Sequence, residues 1–95
     1  MIVTTTPSVE GYRIVKYIGI CFGETISTGF DTNSESGSHT RLTARCNALA
    51  ELERTCTKYG ANAVVGVDVD YEVLGQGNML MVTASGTAVA LEPLQ

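Results

Sequence analysis

The chain predicts an α+β fold, a β-α-β-β unit in which one helix packs on a three-stranded, antiparallel-type sheet, with a short additional strand at the N-terminus. Three observations predict it. A Tyr-, Ile- and Val-rich segment begins at Tyr12. Apolar residues recur at helical spacing between Thr40 and Tyr59. Two strand-like segments, Asn62 to Val73 and Asn78 to Val89, are joined through Leu74-Gly75-Gln76-Gly77, whose glycines allow the positive φ angles of tight hairpin loops.

Each element has a local cause. Val3 to Thr6 reads as a short edge strand that ends before Pro7, which has no N–H to give a ladder. Tyr12 to Cys21 is the first long strand, with Tyr12, Ile14, Lys16, Ile18 and Ile20 on one face and Arg13, Val15, Tyr17, Gly19 and Cys21 on the other. Phe22 to Phe30 extends it less clearly, because Gly23 and Gly29 weaken a strand. Asp31 to His39 is almost wholly polar and reads as a loop. The helix follows, with Ser38 or Thr40 as N-cap, Leu42, Cys46, Leu49, Leu52, Cys56 and Tyr59 as its apolar stripe, and Gly60 as its left-handed stop.

In the strand after the helix, Asp68, Asp70 and Glu72 share one side, and Ala63, Val65, Val67, Val69, Tyr71 and Val73 share the other. Matching faces sets the hairpin register: Val73 opposite Asn78, Val69 opposite Val82, Asp68 opposite Thr83 and Asp70 opposite Met81. In this register Val65 faces Gly86, and Gly66 and Gly86, read as near-opposed across the hairpin, serve close backbone approach or strong bending. The apolar side goes under the helix. The other side, lined by Asp68, Asp70, Glu72, Thr83, Ser85 and Thr87 but also by Val64 and Met81, calls for another copy of the chain as cover. The helical crossover makes the first two long strands parallel, so the third fits between them as an antiparallel neighbour to both.

Composition narrows the function. A chain of 95 residues with 44% hydrophobic content suits one domain over residues 1–95. Six Lys and Arg and a net charge of −4 oppose a nucleic-acid or anionic-membrane partner. The first residues lack a secretory pattern and no segment is long and apolar enough to span a bilayer, so a cytoplasmic protein is expected. Three cysteines without a Cys-x-x-Cys pair indicate reduced thiols.

Candidate sites are few. Cys46 and Cys56 stand about 15 Å apart along a helix and cannot share an ion within one chain; both read as small apolar residues of the buried helix face. His39 sits alone in the polar loop. Asp68 and Asp70, with Thr83 and Ser85 across the hairpin, form an oxygen-rich set that suits a hard cation, or that fixes an interface through hydrogen bonds and ion pairs to a neighbouring copy, for which Arg13 and Lys16 are available. No nucleophile stands beside a base, so an enzyme is disfavoured. Gly75-Gln-Gly77 opens no helix and is turn chemistry rather than a phosphate loop.

Two long pieces, Gly60-Ala-Asn-Ala-Val-Val-Gly-Val-Asp-Val-Asp-Tyr-Glu72 and Asn78-Met-Leu-Met-Val-Thr-Ala-Ser-Gly-Thr-Ala-Val89, together with Val3 to Gly11 and Gly23-Glu24, resemble the signature of the YbjQ-like family. The resemblance implies a dodecin-subunit-like fold, a pentameric ring assembled through added short strands, and a suggested role in heavy-metal binding with no assigned biochemistry. The chain departs from that pattern before the helix, where relatives carry a longer insert with Gly and Arg. The reading that follows is a non-enzymatic homo-oligomeric ring, a pentamer, presenting an acidic intersubunit surface to a metal cation or small ligand. The alternatives are a purely structural or adaptor assembly and an enzyme with an intersubunit site. Which metal or cofactor, if any, is not written in the sequence.

Overall fold

The structure, a computed structural model, describes the backbone of residues 1–28 and 35–94 and the side chains of residues 1–27 and 41–94. Its elements are β1 (Ile2–Val3), β2 (Tyr12–Thr28), α1 (Glu35–Lys58), β3 (Ala63–Leu74) and β4 (Met79–Pro93). The sheet order is β1-β3-β4-β2, with β1 parallel to β3 and β4 antiparallel to both neighbours. β4 therefore lies between the two parallel strands, as expected, and β1 makes the sheet four-stranded. The chain measures 51 × 21 × 15 Å, with a radius of gyration of 15.3 Å. A compact chain of this length would have about 12 Å. The difference comes from β2 and β4, which run side by side as a long ribbon.

The helix starts earlier than the polar composition suggested. Glu35 to His39 are helical, so Ser38 and Thr40 lie inside α1 rather than capping it; positions 31–34 of the expected loop lie outside the described residues. The helix stop is as expected. Gly60 has φ +82°, its N–H donates to Thr57 O at 3.1 Å, and Ala61 N–H donates to Cys56 O at 3.2 Å. This pair of bonds is a Schellman closure, which satisfies carbonyls that the helix itself leaves without partners.

The face that α1 buries is corrected in part: of the expected stripe Leu52 and Cys56 are buried and Leu49 packs against the core. Ala44, Ala48, Leu52 and Cys56 are buried, at four-residue spacing, whereas Leu42, Cys46 and Tyr59 are exposed. The cause is the closeness of helix and sheet. A Cβ placed on Gly23 would run into Ala48 O and Leu52 N and stand 2.8 Å from Leu52 Cα. Helix backbone thus lies directly on β2, and position 23 has no room for a side chain. The core under the helix is completed by Cys21, Val64, Val67, Leu80, Val82, Ala84 and Ala88.

β3 carries a bulge between Val65 and Asp68, centred on Gly66 at φ +62°. A bulge adds one residue to one strand and reverses the alternation beyond it. Val64 and Val67 consequently both face the helix, while Ala63 and Val65 turn to the opposite side and pack with Val89 and Leu91, against Ile2, Val9 and Ile14. The single unbroken alternation expected for this strand is corrected accordingly, and Val64 leaves the polar face. Gly86 faces the bulge, where an added Cβ would stand 2.6 Å from Val64 Cγ1 and 3.1 Å from Val67 Cγ2. The β1 side holds the bulge in place, because Gly66 N–H donates to Thr6 O at 2.8 Å and Val67 N–H to Thr4 O at 3.0 Å. Two further irregularities, between Ile14 and Lys16 and between Tyr17 and Gly19, split the first expected face of β2. Ile14 joins the cluster away from the helix, Ile18 packs toward the helix, and Ile20 is exposed.

Candidate functional site

Between Asp68 and Leu74 the hairpin register is offset by two residues from the expected one, so these side chains keep their face but change partner; before the bulge, from Ala63 to Val65, the offset is one and the faces exchange. Asp68 stands opposite Ser85, Asp70 opposite Thr83, Glu72 opposite Met81, and Val73 opposite Leu80. The turn still holds four residues, with Gly75 and Gly77 at φ +65° and +88°. The four predicted site residues are thereby brought into two directly facing acid–hydroxyl pairs, at cross-strand Cβ spacings of about 5 Å.

The continuation of β2 to Thr28 adds a third row that the sequence reading did not use. Phe22 pairs with Ser85, Glu24 with Thr83, Ile26 with Met81 and Ile20 with Thr87. Paired residues share a face, so the side away from the helix presents three rows across the sheet: acids on β3, hydroxyls on β4, and Ile20, Phe22, Glu24 and Ile26 on β2. The signal for Glu24 was its period-two spacing with Phe22 and Ile26. Ile20 is 73% exposed, Phe22 59% and Ile26 52%.

Asp68, Asp70, Glu72 and Glu24 are also exposed. The side-chain ion pairs among the described residues lie elsewhere, as Arg13 with Glu92 at 3.4 Å and Arg54 with Glu51, and no side-chain hydrogen bond reaches these four acids. Arg13, one of the two expected partners, is thus engaged with Glu92. Glu24 and Asp70 flank Thr83 from its two neighbouring strands, their backbones about 9.6 Å apart at normal strand spacing. Among the described residues no three His, Cys, Asp or Glu side chains converge on a metal position. His39 lies in α1 by its backbone, and its side chain falls outside the described residues.

The thiols divide differently from the sequence reading. Cys46 is exposed; Cys21 and Cys56 are buried in one cluster between β2 and α1. Burial pushes the Cys56 thiol up to about 12, and the neighbouring Cys21 thiol adds to the effect. Periodicity placed Cys56 correctly, but nothing in it brought Cys21 to the same spot.

One helix on a curled, four-stranded mixed sheet, with an acid-and-hydroxyl face turned away from that helix, defines the class of fold. The chain belongs to the YbjQ family: the family model, described as "Putative heavy-metal-binding", matches residues 1–34 and 31–92. It is 51% identical to a UPF0145 protein of Clostridium kluyveri over 106 aligned positions, which cover 97% of this chain and 100% of that one. It is 48% identical to a UPF0145 protein of Acetivibrio thermocellus, with the same coverage. An alignment of 106 positions against 95 residues leaves this chain gapped, and the family match breaks at residues 31–34, where the sequence departs from the family pattern. In fold it is similar to a crystal structure of a DUF74-family protein of unknown function from Pediococcus pentosaceus, with a TM-score of 0.78, 16% identity, and coverage of 97% of this chain and 98% of that one.

The donors differ in what they fit. Carboxylates and hydroxyls on the open face suit hard, oxygen-seeking cations, whereas heavy metals prefer thiolate sulfur. The acid face therefore does not match a heavy metal by donor type. The Cys21 and Cys56 thiols do.

Proposed function

We propose that this single-domain chain acts by assembly, as a non-enzymatic homo-oligomeric ring of five copies whose acid face is completed between subunits and takes a hard divalent cation there. The supporting observation is the exposed row Ile20, Phe22 and Ile26 beside Asp68, Asp70 and Glu24 on one sheet face. Three exposed apolar side chains in one row, interrupted by Glu24, mark an interaction surface, and burying each stabilises by about 1.5–3 kcal/mol. Covering it also withdraws the neighbouring carboxylates from water. Anions left without partners on a closing surface need a counter-charge. Five copies would carry −20 in total (5 × −4), which favours a cation at the junction, held by Asp68, Asp70, Thr83 and Ser85.

Native mass spectrometry of protein purified without added metal, before and after exposure to calcium or magnesium, tests both parts. A pentamer that gains the ion supports the reading. A monomer at high concentration overturns the assembly. A pentamer that ignores both ions, and whose Asp68→Asn/Asp70→Asn variant assembles equally well, overturns the cation.

A further inference from the structure

We infer that Cys21 and Cys56 form a two-thiol site for a soft divalent cation, set under a cavity at the β2 edge and separate from the acid face. The contact at Gly23 fixes their juxtaposition. Gly23 lies against Ala48 and Leu52. Two residues back along β2, on the same face, is Cys21; one turn onward along α1 from Leu52 is Cys56. A two-residue step in a strand covers about 6.6 Å and a helical turn about 5.4 Å, so helix and strand, running in opposite directions, bring the two side chains together. Both are buried in the same cluster.

Access comes from the sheet edge. A cavity of ≈ 170 Å³ is lined by Ile18, Gly19, Ile20, Cys21 and Tyr59, and β2 is an edge strand. Apart from Cys21, Tyr59 is the one titratable residue in that lining. The described core contains no buried polar or charged residue. These surroundings select the charge of the ion. Each thiol gives its proton to solvent, each sulfur forms one bond to the metal, and no electron is transferred. A divalent ion then yields a neutral bis-thiolate, whereas a monovalent ion leaves one uncompensated negative charge in an apolar core, which is costly. Two sulfurs and apolar walls do not supply the four ligands that zinc takes. An ion satisfied by two sulfurs in line, as mercuric ion is, fits.

The test uses the full chain carrying Cys46→Ala, which removes the exposed thiol, and mercuric chloride as the probe. The expected result is one mercury per chain, retained through a wash with a monothiol competitor, with two protons released per ion bound and both thiols silent to a thiol reagent after unfolding. Adding Cys21→Ala or Cys56→Val, with folding checked by circular dichroism, abolishes retention. Release of a single proton, loss of the ion to the wash, retention by either double variant, or a Cys21–Cys56 disulfide that reductant does not open would each overturn the site. The proton count needs no core substitution, so the result does not depend on those variants folding. Calcium and magnesium binding at the acid face is unaffected by either outcome.

Discussion

Among the described glycines, Gly23 is the one where an added methyl group, as in Gly23→Ala, meets the closest atoms. The new methyl group would run into Ala48 O and Leu52 N and stand 2.8 Å from Leu52 Cα, where ordinary contact begins at 3.4 Å. All three atoms are helix backbone, so no rotamer change relieves them. The helix has to move away by on the order of 1 Å, and a gap of that size forfeits a quarter to a half of each contact's attraction along the interface. Ala44, Ala48, Leu52 and Cys56 all lose packing together. Overpacked cores typically lose 1–3 kcal/mol, and an immovable neighbour puts this case near about 3 kcal/mol. For a chain of this length that lowers Tm by about 12–24 °C. Thermal unfolding followed by circular dichroism, at one fixed protein concentration because assembly makes Tm concentration-dependent, measures it. Ala48→Gly should not rescue the variant, since that change removes a side chain and leaves the offending carbonyl. A loss below about 0.5 kcal/mol, or a rescue by Ala48→Gly, would refute a backbone-on-backbone crossing.

Gly86→Ala meets the Val64 and Val67 side chains first, with Val65 O at 3.2 Å, and is expected to cost about 1–2 kcal/mol, with partial relief from Val64→Ala visible in a double-mutant cycle of denaturant midpoints. Gly60→Ala meets no neighbour but holds φ +82°, so a backbone cost of about 1–2 kcal/mol is expected in the same assay, less for Gly60→Asn. The Cys56 thiol, raised from an ordinary 9.0 to about 12, favours folding below pH 9. Unfolded chains release that proton first as pH rises, so stability falls between pH 9 and 12, and a Cys56→Val protein should lack this component of the decline. Charging the apolar row with Ile20→Lys and Phe22→Glu should lower the assembled mass in sedimentation velocity while leaving the far-ultraviolet spectrum unchanged.

Strand identities, the central position of β4, the Gly60 stop and the two-glycine turn were legible because each rests on local chemistry: alternation, φ preference, and one crossover. The helix face was legible only in part, through Leu49, Leu52 and Cys56. Leu42 and Tyr59 carried the hydrophobic weight of the pattern, yet Ala44 and Ala48 make the contact, because what decides it is the space left by Gly23 on a distant strand. Face alternation failed at Gly66 for a similar reason. Glycine as a residue type suits either a straight strand or a bulge, and here Gly66 takes positive φ with its N–H, and that of Val67, bonded to the Thr6 and Thr4 carbonyls just after β1. The candidate site was half legible. Asp68, Asp70, Thr83 and Ser85 do share a face, but the apolar row beside them required β2 to continue past Gly23, and the Cys21–Cys56 pairing required the depth of the helix crossing.

The position of β4 dictates an order of events during synthesis. It leaves the ribosome after β2, α1 and β3, yet it is the strand that joins β2 to β3, and among the described strands those two touch only through it. Until it emerges, the nascent chain has a helix and unmatched extended segments but no completed layer to fold on. The sheet therefore closes only after Met79–Pro93 has emerged, and a message truncated before Met79 yields a polypeptide whose β2 and β3 edges lack their native partner, a natural client for chaperones or proteases.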